Sequence, residues 1–134
     1  MKLDDIAAVQ VSTYYGEETT LQVEMKIHFH EKKFYINGSY RLPWYGKYHE
    51  LDASEIERLL LVIQDCDLLG WDSAYFVPVI HGHSWGLVIT YRDGTEMLKC
   101  GFNMYPRKWH EFYDAMCLAS ERIRVRTTSK EPEP

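Results

Sequence analysis

Four of the six histidines fall into two pairs with the same spacing, His28-Phe29-His30 and His81-Gly82-His83. Residues two apart on a strand point to the same side, so His28 and His30 have the spacing to ligate one zinc or nickel ion. Strand pairing that set His81 and His83 beside them would make a three- or four-histidine site. A plainer reading stands against it. His28 and His30 share a wet strand face with Gln22, Glu24 and Lys26, and the second pair sits in a turn. A zinc site also needs carboxylates behind its imidazoles, and nothing in the sequence places them. Metal or small-molecule binding at these histidines is the alternative reading.

Nucleophilic chemistry has less to stand on. Ser84 follows His83 without a Gly-x-Ser-x-Gly elbow. Cys66, Cys100 and Cys117 are odd in number, lack zinc spacing and lie in apolar or patterned segments, so they are expected to be reduced and buried. Asp65 and Asp67 fall near a helix end, where solvation is expected. No phosphate-binding loop or dinucleotide fingerprint occurs. The expectation leans away from an enzyme, and no cofactor is implied.

The aromatic loop is more suggestive. Tyr40, Trp44, Tyr45 and Tyr48 lie within nine residues, broken by Pro43 and Gly46. Loops are mostly exposed, and Tyr and Trp are enriched where proteins bind one another. An acidic helix follows, bearing Asp52, Glu55, Glu57, Asp65 and Asp67. Trp44, Tyr45 and Tyr48 as anchors, with Glu55 and Glu57 as an acidic rim, suit a protein partner with a basic surface. The competing reading is that the aromatics cap the core of a small domain.

Charge agrees with such a partner. The net charge is −5, and residues 1–67 carry 7 basic against 12 acidic side chains while residues 68–134 carry 8 of each. Acidity argues against nucleic acid and against a membrane surface. Arg122, Arg124 and Arg126 read as a solvated helix end more readily than as an RNA contact. No apolar run approaches the roughly 18 residues that span a bilayer, and Met1 to Asp5 lacks a secretion signal, so a cytoplasmic location is expected.

These residues need a scaffold, and 134 residues with 46% apolar composition suffice for one domain. Val9, Val11 and Thr13 alternate as a strand over about 6–14. Leu21, Val23, Met25, Ile27 and Phe29 share one face of a second strand. Phe34 to Ile36 forms a third, which Asn37-Gly38 closes in a tight turn. Asp52 and Glu55 make a capping box for a helix whose Ile56, Leu59, Leu60, Ile63 and Cys66 face inward. The stretch from Trp71 to Val79 is ambiguous, an edge strand at most. Trp85, Leu87, Ile89 and Tyr91 alternate toward Asp93-Gly94, a hairpin turn, and Met97 to Phe102 returns. Pro106 fits the first position of a helix with Trp109, Phe112, Tyr113, Met116 and Ala119 on its apolar stripe.

Several of these residues form a pattern. Trp71-Asp72, then Trp85-x-Leu87-x-Ile89, Asp93-Gly94 and Gly101-x-Asn103-x-Tyr105-Pro106, followed by Trp109 and Phe112, resemble a family of small uncharacterised bacterial proteins common in Firmicutes. The likeness covers about a third of the chain and implies a fold, with no activity attached. The family usually has Asp-Gly where this chain has His81-Gly82.

The expected architecture is one α+β domain over residues 1–126. It has an antiparallel sheet of about five or six strands, two main helices on one face, and a disordered tail at 127–134. The expected function is a small intracellular, non-enzymatic protein-binding module. An inhibitor acting by steric occlusion, of the immunity, antitoxin or counter-defence kind, is its concrete form. A homo-oligomeric accessory domain is a further alternative.

Overall fold

The computed structural model describes residues 3–15, 20–39, 42–77 and 82–129. At its centre lies β1 (Ile6–Tyr15), paired antiparallel on one side with β2 (Thr20–His28) and on the other with β6 (His83–Tyr91). The sheet grows outward through β3 (Lys33–Gly38) to β4 (Lys47–Glu50) on one flank, and through β7 (Glu96–Phe102) to β5 (Ala74–Phe76) on the other. The order is β4-β3-β2-β1-β6-β7-β5.

Two expectations need correction. The sheet has seven strands, and it is mixed, because β5 runs parallel to β7. The added strands escape a reading by alternation. β4 is four residues of charge and aromatic inside the supposed aromatic loop, and β5 is three residues joined to a strand more than twenty positions away. Asn37-Gly38 makes no turn either: both residues pair with β2, Asn37 opposite Glu24 and Gly38 opposite Val23. Glycine serves there through its missing side chain, since a Cβ would come 2.7 Å from the Gln22 carbonyl oxygen and 3.1 Å from the Tyr45 ring.

Period-two alternation directs one row of side chains to the helices. Val9 sits between Ile27 and Ile89, and Val11 between Met25 and Leu87, and all six are buried. Helix α1 (Ala53–Asp65) adds Ile56, Leu59 and Ile63 to this core, with Cys66 just beyond it. Helix α2 (Trp109–Ser129) adds Trp109, Phe112, Met116, Ala119 and Ile123 at alternating steps of three and four. It runs past residue 126, so 127–129 are helical; the rest of the expected tail, 130–134, lies outside the described residues. Pro106 precedes α2 by a turn, with the Trp109 N–H donating to its carbonyl at 3.2 Å.

The two ends of the Trp-Asp to Tyr-Pro pattern converge on one corner, while Asp93-Gly94 lies at the far end of β6 in the hairpin. The rings of Trp71, Trp85, Trp109 and Phe112 contact one another at centroid distances from 4.8 to 6.3 Å. Each inner indole has a carbonyl partner: Trp85 Nε1–H donates to Met104 and Trp71 Nε1–H to Cys66, both at 2.9 Å. Asn103, at φ 56°, donates its N–H to the His83 carbonyl and accepts the His83 N–H at 2.9 Å. Lys99 is buried on the helix-facing row, where its ammonium donates to the carbonyls of Leu69 and Trp71 and pins that turn to the sheet. Burial pulls its pKa down while Asp67 and Asp72 draw it up.

Gly101 makes this corner possible, because a Cβ there would stand 2.1 Å from Trp85 Nε1 and 2.6 Å from the Met104 carbonyl. Gly101→Ala is expected to lower stability by about 2 kcal/mol through overpacking against groups that cannot yield. Urea denaturation reads this directly, and an unchanged midpoint would contradict the packing assigned to Trp85.

Candidate functional site

Among the described residues, the histidines of the two pairs do not meet. His28 pairs with Ala8 at one end of β1, and His83 with Tyr15 at the other, roughly 23 Å apart at about 3.3 Å per residue. His30 is exposed in the turn after β2, and His81 lies outside the described residues. Among the described residues no cluster of three or more His, Cys, Asp or Glu is placed to hold a metal. His28 has another setting: its ring lies 5.5 Å from that of Tyr48, and its Nε2 is buried without a hydrogen-bond partner among the described residues.

The aromatic loop divides between the two sides of the sheet. Trp44 and Tyr45 are partly buried and pack against the core, meeting edge to face at 6.0 Å. The Trp44 carbonyl accepts from His49 Nε2–H at 2.6 Å, which fastens the loop onto β4. Tyr48 instead projects from the opposite side, 54% exposed, beside the Tyr35 ring at 5.3 Å. Tyr40 lies outside the described residues.

The two expected rim carboxylates differ as much. Glu57 is exposed on α1. Glu55 is buried, as the capping box demands. Its Oε1 accepts from the Asp52 N–H at 3.4 Å and from Arg126 Nη1 at 3.2 Å, while Arg126 Nη2 also donates to the Glu50 carbonyl at 3.1 Å. Glu55 therefore joins both helices to the end of β4 and presents no rim. Arg124 pairs with Glu121 one turn away, so this basic stretch is largely answered within the fold.

The cysteines depart from expectation. Only Cys66 is buried; Cys100 and Cys117 are exposed. Although the residue is exposed, desolvation of the Cys117 sulfur, with Asp114 beside it, pushes the thiol up to about 11, which disfavours the thiolate.

What the strands assemble is a surface rather than a catalytic group. Both helices share their core with one face of the sheet, and no described element covers the other. On the β4-β3-β2 flank that open face carries Tyr48, Tyr35 and His28 among Lys33, Lys26 and Glu24. The β6-β7-β5 flank is different. Strand β7 turns Leu98, Cys100 and Phe102 outward and Lys99 inward, the reverse of the usual placement. Leu98 and Phe76 are each 65% exposed, and Phe76 stacks on Phe102 at 5.7 Å. Val88 and Gly86 continue the apolar floor toward β1, and the exposed Glu96 ends the row at the hairpin. Sequence reading missed this patch, though the inverted alternation from Met97 to Phe102 was its signal.

No helix among the described residues is long and apolar enough to cross a membrane. The chain matches no protein-family model, and no curated protein is significantly similar to it.

Two measurements follow from these placements. Glu55→Ala should cost about 1–2 kcal/mol, through loss of the cap and of the Arg126 contact. Glu57→Ala should stay within about 0.5 kcal/mol in the same denaturation assay; equal effects would refute the division between them. For His28, burial and then Lys26 lower the ring's pKa below 6.5, with Glu31 opposing and Lys33 assisting. The unfolded chain thus takes up this proton at a higher pH than the folded one. His28 should cost stability as pH falls below about 6.5 until the folded ring protonates. His28→Phe is expected to flatten that part of the stability–pH curve, and parallel curves would show that the ring is not desolvated.

Proposed function

We propose that this chain is a non-enzymatic protein-binding module, an inhibitor in kind, that covers a basic intracellular partner with the open face of its sheet. The observation that carries this reading is the outward apolar row of β7, extended by Phe76. A free-standing domain normally turns that row inward, and exposed apolar patches of this sort mark interaction sites. Tyr48 and Tyr35 supply aromatic anchors on the opposite flank. Trp44 and Tyr45 hold the β4 end in place. Glu57 contributes to the −5 charge that steers a basic partner toward the chain. The action is steric, as in immunity-, antitoxin- or counter-defence-like proteins.

The residues that carry the resemblance to small bacterial proteins line the tryptophan corner and serve packing. The likeness therefore supports a shared scaffold, on which the open face is this chain's own variable surface.

One observation favours self-association as a second reading. Six strand spacings of about 4.8 Å and strands near 23 Å give a face on the order of 600 Å², close to the roughly 800 Å² per partner of a stable interface. The open face as a whole would then pack on the same face of a second copy, with Leu98, Phe102 and Phe76 at its apolar end.

The test is a lysate capture comparing the wild type with Tyr48→Ala/Leu98→Asp and with Leu61→Asp on the outer side of α1. A stoichiometric partner should be lost from the open-face variant alone, with circular dichroism confirming that it folds, and its association should slow as salt rises. Retention of the partner by that variant would refute the assignment. Light scattering on the isolated chain separates the second reading, which requires a dimer that Leu98→Asp dissociates.

A further inference from the structure

Where α1 and α2 pack together they leave a groove. One part is a cavity of about 460 Å³ whose lining includes Arg58, Arg122 and Arg126 with Asp52, Glu55 and Glu121. The charges balance by count, but not by engagement. The Asp52 carboxylate accepts from the Ser54 hydroxyl at 2.7 Å and the Glu55 N–H at 2.8 Å. Glu121 is paired with Arg124, and Glu55 with Arg126 through Oε1, while its buried Oε2 has no hydrogen-bond partner among the described residues. Among the described residues Arg58 and Arg122 make no hydrogen bond or ion pair. Two unanswered guanidiniums, one from each helix, thus line one cavity in a protein of net charge −5. The first turn of α1 adds its partial positive charge nearby.

The second part of the groove is a smaller space of about 110 Å³, walled by Leu59, Val62, Ala115, Leu118 and Ala119. It shares Glu55, Arg58 and Arg122 with the first, so the basic cavity and the apolar notch adjoin. An apolar cavity of roughly 150 Å³ holds benzene, so this notch suits a branched arm of about four carbons.

We propose that the groove between α1 and α2 binds a small carboxylate with a short branched apolar arm, its carboxylate between Arg58 and Arg122 and its arm in the Leu59–Leu118 notch. Guanidinium is the group whose planar fork matches a carboxylate. The arm removes water from the notch and orients the ligand. This site lies on the helices, apart from the open sheet face, and stands independently of the partner assigned to that face.

The probe is 4-methylpentanoate, titrated into the full chain and followed by backbone amide shifts. Saturable shifts are expected within 53–62 and 115–126. The isosteric 4-methylpentanamide should bind about tenfold more weakly or worse because it lacks the charge. Acetate should also bind more weakly because it lacks the arm. Arg58→Gln and Arg122→Gln, at positions with no partner to lose, should each weaken the acid about tenfold and leave the amide unchanged. An amide that binds as tightly as the acid would overturn the proposal. So would arginine variants that bind normally, shifts located elsewhere, or no saturable shift at all.

Discussion

One-sided burial of a wide sheet is the constraint on which the rest of the structure depends. Strand β1 is hydrogen-bonded along both edges, so its register fixes those of β2 and β6, and through them the outer strands. The row through Val9 and Val11 must meet the helices, and a slip of one residue would turn that row to solvent. Two helices supply one layer of cover. Among the described residues, a sheet of seven strands therefore keeps a whole face without a partner layer, and the question becomes what that face is made of.

The answer differs across β1. The flank toward β4 is composed as a wetted face, with lysines and glutamates between its aromatics. The flank toward β5 is apolar outside except for Glu96 at the hairpin end, and it places Lys99 inside, where two carbonyls receive its ammonium. Burying the lysine costs desolvation, which the two carbonyls it pins offset. The outward Leu98 and Phe102 have no such compensation in the isolated domain, and they are what the proposed partner would cover. Internal pairing sharpens the picture, since Glu55 and Glu121 are held by arginines. On the proposed reading, the acidity that would steer a partner comes from side chains such as Glu57, outside the helix groove.

Much of the scaffold was legible because local chemistry announced it. Alternation in Leu21 to Phe29 and Trp85 to Tyr91, the Asp52–Glu55 capping box and the Asp93-Gly94 turn all fold as their residue types require. The parallel β5–β7 pairing was not legible, because three residues carry no period and their partner is remote. Asn37-Gly38 misled because glycine answers to close approach as well as to positive φ, and here the Gln22 carbonyl, with the Tyr45 ring beside it, made the demand. Glu55 misled for another reason. A glutamate at the third position of a capping box is already engaged by its own backbone, so the signal that placed the helix also argued against an exposed rim role. The aromatic loop could not be divided in advance, since the side on which Tyr48 emerges depends on β4 pairing with β3.

Hydroxyl-radical footprinting of the chain, alone and bound to the partner it captures, tests the central claim most directly. The open-face reading predicts that Tyr48, Tyr35, Leu98, Phe102 and Phe76 lose reactivity together on binding, while Leu61 and Leu118 on the helices keep theirs. Protection of Leu61 and Leu118, with Leu98 and Phe76 as reactive as in the free chain, would place the partner on the helices and contradict the account.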